Sequence, residues 1–280
     1  MGSQRVVVLG GRGMLGTDVV MACRQRGHDV AAYDLPELDV TNRDHVRRAI
    51  RGAEAVVNCA AYTNVDGAES ETLVASRVNA EAVGQLGELA RQAGVWVLHI
   101  STDFVFDGGL DRPYHEQDAP HPISAYGRTK WEGERLLERS GCSGCIVRIE
   151  WTYGRHGKNF VTKLLERART GEELRVVDDQ TGAPTATTEV AEALCSLLRT
   201  RPEGLYHFAS SGYVTRFGVA RFIVERLSLP NRLLACKTRD FPSPAARPLN
   251  SRFDCRKISP YLDGPVAPWQ VPLERFLEQL

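Results

Sequence analysis

Neither charge predominates in this chain: Lys plus Arg number 35 and Asp plus Glu number 35. There is no basic footprint for nucleic acid and no acidic tail for solvation. Absent too is any apolar run of membrane-span length, and the opening "MGSQRVVVLGG" enters a strand without the longer apolar region of a signal peptide. A cytoplasmic protein with no nucleic-acid and no membrane partner is expected. Cysteine lacks a pairing pattern. The seven cysteines are an odd number, scattered through apolar segments, which fits a reducing compartment. Cys142 and Cys145 alone have CxxC spacing. They lack the second pair a zinc ribbon needs, and they lead into the strand-like "CIVRIE" rather than opening a helix that would acidify a thiol. His115, His121 and His156 fall in Pro/Gly-rich loops without ligand spacing and read as solvated. No resident metal is expected, and no sequence repeat or low-complexity tract interrupts the chain.

What is present is hydrophobic content of 42% over 280 residues, enough to fill a large α/β core. Five short runs are β-branched and apolar on both faces, as buried parallel strands should be: residues 5–10, 29–34, 55–60, 95–101 and 145–150. Between them, residues 14–26, 42–51, 72–93 and 125–139 carry helical periodicity. Repeated βα units predict a doubly wound parallel sheet of Rossmann type. Beyond residue 150 the pattern loosens into helices near 159–170, 188–199 and 216–228, a strand at "LRVVD" and another at "GLYHFAS". The expected organisation is a dinucleotide-binding domain over 1–150, completed by about 183–215. A smaller, interleaved substrate-binding lobe is expected from 151–182 and 216–280, with the ligand crevice between the two.

Two local patterns carry chemistry. In "VVVLGGRGMLG", Gly10, Gly13 and Gly16 follow the first strand and open the first helix. Glycines there let the backbone approach a pyrophosphate, whose charge the helix N-terminus stabilises. Asp34 ends the second strand, where a ribose hydroxyl is expected, and Arg12 inside the turn is placed to oppose it by gripping a 2′-phosphate. The second pattern is "SAYGRTKWEGE", which sets Tyr126 and Lys130 four apart and so on one helical face. By itself that spacing is also what an exposed amphipathic turn would show.

The glycine turn, "NCAAYT" after the third strand, "STDFVF" after the fourth and "YGRTK" on the next helix together resemble the extended short-chain dehydrogenase/reductase superfamily. "AAYTNVDGAE", "HISTDFVFDG", "DDQTGAPT" and "ARPLNSRFD" narrow the likeness to the dTDP-4-dehydrorhamnose reductase family, over essentially the whole chain. The resemblance implies an oxidoreductase that uses NADPH or NADH to reduce the C4 ketone of a dTDP-4-dehydro-6-deoxy-L-sugar. Tyr126 is then the proton donor, with Lys130 lowering its pKa and holding the nicotinamide ribose, and Thr102 completes the triad. It further implies cofactor contacts at Met14, Leu15, Asp39, Val40, Ala60, Ala61, Tyr62, Asn79 and Ser101. Asp103, Trp151, Asn159, Arg247, Asn250 and Ser251 are implied at the substrate.

Sugar-nucleotide dehydratases, which share the scaffold, carry an acid pair after the catalytic Thr; here Asp103 is followed by Phe104, which takes no proton. The Cys of GDP-fucose epimerase-reductases has no counterpart near Thr102. Two alternatives stay open: a reductase of a related sugar such as dihydrostreptose, and a non-catalytic regulatory subunit like that of methionine adenosyltransferase. Some relatives dimerise through a glutamate-held magnesium ion. Asp18 and Gln279 stand at the corresponding places, and an amide is a poor ligand for a hard ion. The expectation is therefore a monomer or a metal-independent homodimer.

Overall fold

The computed structural model describes residues 3–280. In chain order its strands are β1 (Arg5–Leu9), β2 (Asp29–Tyr33), β3 (Ala55–Asn58), β4 (Trp96–Thr102), β5 (Gly144–Ile149), β6 (Thr152–Tyr153), β7 (Leu174–Val177), β8 (Thr181–Gly182), β9 (Thr185–Ala186), β10 (Gly204–Phe208), β11 (Val214–Thr215) and β12 (Leu233–Cys236). The α-helices are α1 (Met14–Gln25), α2 (Arg43–Ala49), α3 (Gly67–Ser70), α4 (Thr72–Ser76), α5 (Ala82–Ala93), α6 (Ala125–Ser140), α7 (Phe160–Ala168), α8 (Thr187–Thr200), α9 (Arg216–Arg226) and α10 (Gln270–Leu277).

Six strands form one parallel sheet in the order β10-β5-β4-β3-β1-β2. Its middle strands are buried from end to end, which is why their sequences are apolar without alternation. Edge strand β2 is only half-buried. One face packs α1 and α8 through Val19, Cys23, Val190 and Leu194; the other packs α2, α5 and α6 through Val46, Leu86, Leu89 and Leu137. The strand order reverses direction between β1 and β3, the switch point where such sheets open a crevice at the strands' C-terminal ends.

A separate apolar cluster joins α7, α9 and α10 through Leu164, Val219, Ile223, Leu273 and Phe276. There "LRVVD" does not extend the main sheet. As β7 it pairs in parallel with β12, forming a two-stranded ladder of its own. The long helical segment 72–93 is likewise not one α-helix. Residues Arg77–Glu81 form a π-helical turn between α4 and α5, a widening that is common at functional sites.

Candidate active site

The crevice over the strand ends is a cavity of about 1030 Å³. One end is the turn after β1. Gly10 has φ +75° and lies so close to β3 that an added Cβ would stand 2.6 Å from the Ala60 amide. Gly16 lets α1 start directly against that turn, since its Cβ would meet the Gly10 carbonyl at 2.0 Å. Gly13 at the N-cap supplies no side chain to the first amides of α1. They point at the cavity as an anion cradle. At its rim, Asp34 accepts the amides of Arg12 at 2.9 Å and Leu35 at 2.8 Å. The Arg12 guanidinium pairs with Glu37 and donates to the Leu35 carbonyl at 3.3 Å. Both partners in that ion pair are exposed. Sequence reading missed Glu37, which lies in a turn without a pattern.

The far end is built by β4 and α6. Thr102 ends β4, and its hydroxyl accepts from the Phe104 amide at 3.2 Å and donates to Asp103 at 3.0 Å. Ser124 caps α6 by accepting from the Gly127 amide at 3.1 Å. An added Cβ at Gly127 would sit 2.1 Å from the Phe104 carbonyl, so only glycine lets the helix press against the Thr102–Phe104 turn. That contact brings Tyr126 and Lys130 to the cavity wall beside Thr102, with both side chains buried. The pair is therefore part of the site, not of a solvated face.

The electrostatics differ from expectation. Burial first, then the charge of Asp103, pushes the Tyr126 phenol above its ordinary value, and the Thr102 hydroxyl offsets part of this. Lys130 does not lower it. Instead Lys130 is itself pulled down to about 8, by burial against the opposing pull of Glu134 and Cys59. Its ammonium donates to the Ile100 carbonyl at 2.6 Å and lies 3.5 Å from His99 Nε2. His99 is fully buried and held neutral by burial and by Lys130.

Met14, Leu15, Asp39, Val40, Ala60, Ala61, Tyr62, Ser101, Asp103, Trp151 and Asn159 also line the cavity. Ser101 carries a buried hydroxyl oxygen with no partner among the described residues. That orphan and the uncapped glycine cradle fit a dinucleotide phosphate and ribose. Asn79, Arg247, Asn250 and Ser251 do not line it. Asn79, in the π-helical turn, clamps the Tyr62 backbone from behind, accepting its amide at 2.8 Å and donating to its carbonyl at 3.1 Å. Ser251 reaches the site only through Asp103. The Asn250 amide is spent on the Leu110 and Arg112 carbonyls at 2.7 and 2.8 Å. Arg247 pairs with Asp66 at 2.9 Å. Asn159 lines the wall, yet its side chain caps α7 and donates to the Gly154 carbonyl at 2.8 Å.

His156 and Lys158, both on an exposed loop, and the half-buried Arg216 also line the cavity. No local pattern marked these three. Away from the cavity, the Asp18 carboxylate accepts from the Thr187 hydroxyl and the Gln279 carbonyl accepts from Arg155.

Fold and site together define an NAD(P)H-dependent oxidoreductase of the short-chain dehydrogenase/reductase type. The family model described as RmlD substrate binding domain matches residues 4–280. The dTDP-4-dehydrorhamnose reductase of Escherichia coli (strain K12) is 35% identical, over 98% of this chain and 97% of that protein. A dTDP-4-keto-6-deoxy-D-glucose reductase of Streptomyces niveus is 39% identical over 80% and 79%. Among solved structures, the dTDP-4-dehydrorhamnose reductase of Bacillus anthracis in complex with NADP superposes with a TM-score of 0.95, at 31% identity and full coverage of both chains. The chain belongs to the dTDP-4-dehydrorhamnose reductase family.

Proposed function

We propose that this protein reduces the C4 ketone of a dTDP-4-dehydro-6-deoxy-L-sugar, dTDP-4-dehydro-L-rhamnose before others, to the alcohol. The observation that carries the reading is the convergence of Thr102, Tyr126 and Lys130 on one wall of the cavity that also holds the glycine turn. NADPH or NADH, when bound, supplies the hydride. Gly10, Gly13 and the α1 amides would hold its pyrophosphate, Asp34 and Arg12 would meet the adenosine ribose, and Ser101 and Lys130 would hold the nicotinamide end. Tyr126, kept protonated by its raised pKa, donates its proton to the alkoxide oxygen that develops at C4. An alkoxide is a stronger base than a phenolate, so the transfer is downhill even from a weakly acidic tyrosine. Thr102 donates a hydrogen bond to the same oxygen.

Phe104 stands edge-on to Tyr126 at 5.5 Å, where a dehydratase would need a proton acceptor. Trp151 walls the sugar, and the lobe of residues 151–182 and 216–280 carries the nucleotide. With Asp18 engaged by Thr187, the assembly is a monomer or a homodimer without a bridging metal. The test is turnover of dTDP-4-dehydro-L-rhamnose with NADPH by the purified protein, set beside dTDP-4-keto-6-deoxy-D-glucose. The Streptomyces niveus relative makes the second sugar the competing substrate. Faster turnover of it would move the specificity there, and turnover of neither would favour a non-catalytic subunit.

A further inference from the structure

Among the described residues, the Arg216 guanidinium of the site has no acceptor. Arg216 opens α9 directly after β11, where Thr215 caps the helix by accepting from the Gly218 amide at 3.0 Å. Its guanidinium carbon stands 3.6 Å from the centroid of the Trp151 ring and 5.0 Å from that of Phe160. It lines the cavity shared by Thr102 and Tyr126. Stacking occupies the faces of a guanidinium and leaves its N–H bonds, which lie in its plane, for acceptors.

Among the described residues none supplies one. Arg216 feels burial, which pulls it down to about 10, and the more distant charges of Asp103, Glu150 and Arg247. Both neighbouring carboxyls are committed elsewhere. Asp103 accepts from Thr102 and Ser251, and Glu150 accepts the amides of Ala183 at 2.9 Å and Phe253 at 3.2 Å. Arg247 is likewise engaged, by Asp66, Ser243 and the Ala245 carbonyl. Trp151, the ring beneath the guanidinium, has φ +45°, a strained conformation for a bulky residue and one found where a site over-determines the backbone. A half-buried cation with unused donors is poorly satisfied until a ligand completes it. The neutral oxygens of a sugar are weak partners for a guanidinium fork. Phosphoryl oxygens match it in charge and in spacing.

We propose that Arg216 is the anion contact of the substrate half of the site, its fork taking phosphoryl oxygens of the nucleoside diphosphate. The assignment rests on the nucleotide-sugar reading above and extends it to a residue outside the implied substrate set. The dinucleotide also carries phosphoryl oxygens, so the test separates the two sources. dTDP, NADPH and phosphate-free thymidine are each titrated calorimetrically into the wild type, Arg216→Gln and Arg216→Lys. Arg216→Gln is expected to raise the Kd for dTDP about tenfold to a hundredfold, as loss of a charge-assisted pair requires. Arg216→Lys, which keeps the charge without the fork, falls between. Thymidine and NADPH stay within about twofold of wild type. Unchanged dTDP affinity in Arg216→Gln overturns the assignment. So does a loss confined to NADPH, or an equal loss of both ligands in both variants, which marks a structural role. A wild type that binds NADPH but not dTDP contradicts the nucleotide-sugar reading itself and this assignment with it.

Discussion

Tyr126 is a weak acid, held in its protonated form by burial. In the proposed reaction it therefore arrives protonated, and the alkoxide is basic enough to take the proton. Tyr126→Phe is expected to lower kcat by at least about a hundredfold with NADPH affinity nearly unchanged, which steady-state kinetics and a binding titration separate. Lys130 titrates near 8 because burial opposes its charge. Its ammonium is present below that pH and lost above it. NADPH affinity and kcat/KM should therefore fall as pH rises through about 8, and Lys130→Met should abolish that limb while weakening both quantities. A pH profile without an alkaline limb in the wild type would remove the ammonium from the mechanism.

At the rim where the proposal puts the adenosine ribose, Arg12 and Asp34 carry opposite charges, and Arg12 pairs with exposed Glu37. NADH and NADPH should serve within about tenfold of each other in kcat/KM, with Arg12→Ala selectively weakening NADPH and Asp34→Ala selectively weakening NADH. A preference beyond about a hundredfold would break the balance. Tyr126, Lys130 and the glycines were legible because each sits in a short pattern tied to one element. Arg216, His156 and Lys158 were not. They reach the cavity from the lobe, and nothing next to them in the chain records that meeting.

At the scale of elements, the site depends on how closely α6 lies to β4 and β5. Two contacts set that distance. Gly127 meets the Phe104 carbonyl with no room for a methyl group. Glu134 makes a bidentate pair with Arg148 of β5 at 2.6 and 2.8 Å, both side chains buried, with the guanidinium over the Phe106 ring. Removing one partner of such a pair leaves the other charged and unsolvated. Glu134→Ala is thus expected to cost about 3 to 5 kcal/mol of stability, read as a lowered denaturation midpoint. Gly127→Val should keep the fold at reduced stability while lowering kcat, because it moves Tyr126 away from Thr102. Unaltered kcat would show that the close approach is not needed.

The six sheet strands were readable as short apolar runs and the long helices from periodicity, since the strands lie between two helical layers and each helix buries one face. The π-helical turn at Arg77–Glu81 was not, because its residues continue the apolar stripe of a helix. It is set by a tertiary contact, the Asn79 clamp on Tyr62. The ladders β6 with β9 and β8 with β11 are two residues long, too short for any period to register.

For the molecule as a whole, the sheet offers the glycine cradle at one end of a crevice and the acid group at the other. The lobe built on α7, α9 and α10 closes over them and contributes Arg216 and, at the start of α7, the Asn159 cap. The interleaving of lobe and sheet segments follows from this need: the chain leaves β5 through Trp151, returns for α8 and β10, and leaves again for α9. In the proposed reaction a hydride arrives at C4 of the sugar while Tyr126 protonates the oxygen there. The most direct measurement uses NADPH deuterated at the transferred position, dTDP-4-dehydro-L-rhamnose and the purified protein, with the product sugar read by nuclear magnetic resonance and mass spectrometry. One deuterium is expected, bonded to C4 in a single configuration, with no such product formed by Tyr126→Phe on the same timescale. Deuterium at another carbon, or a reduced sugar without deuterium, would contradict the proposed reaction.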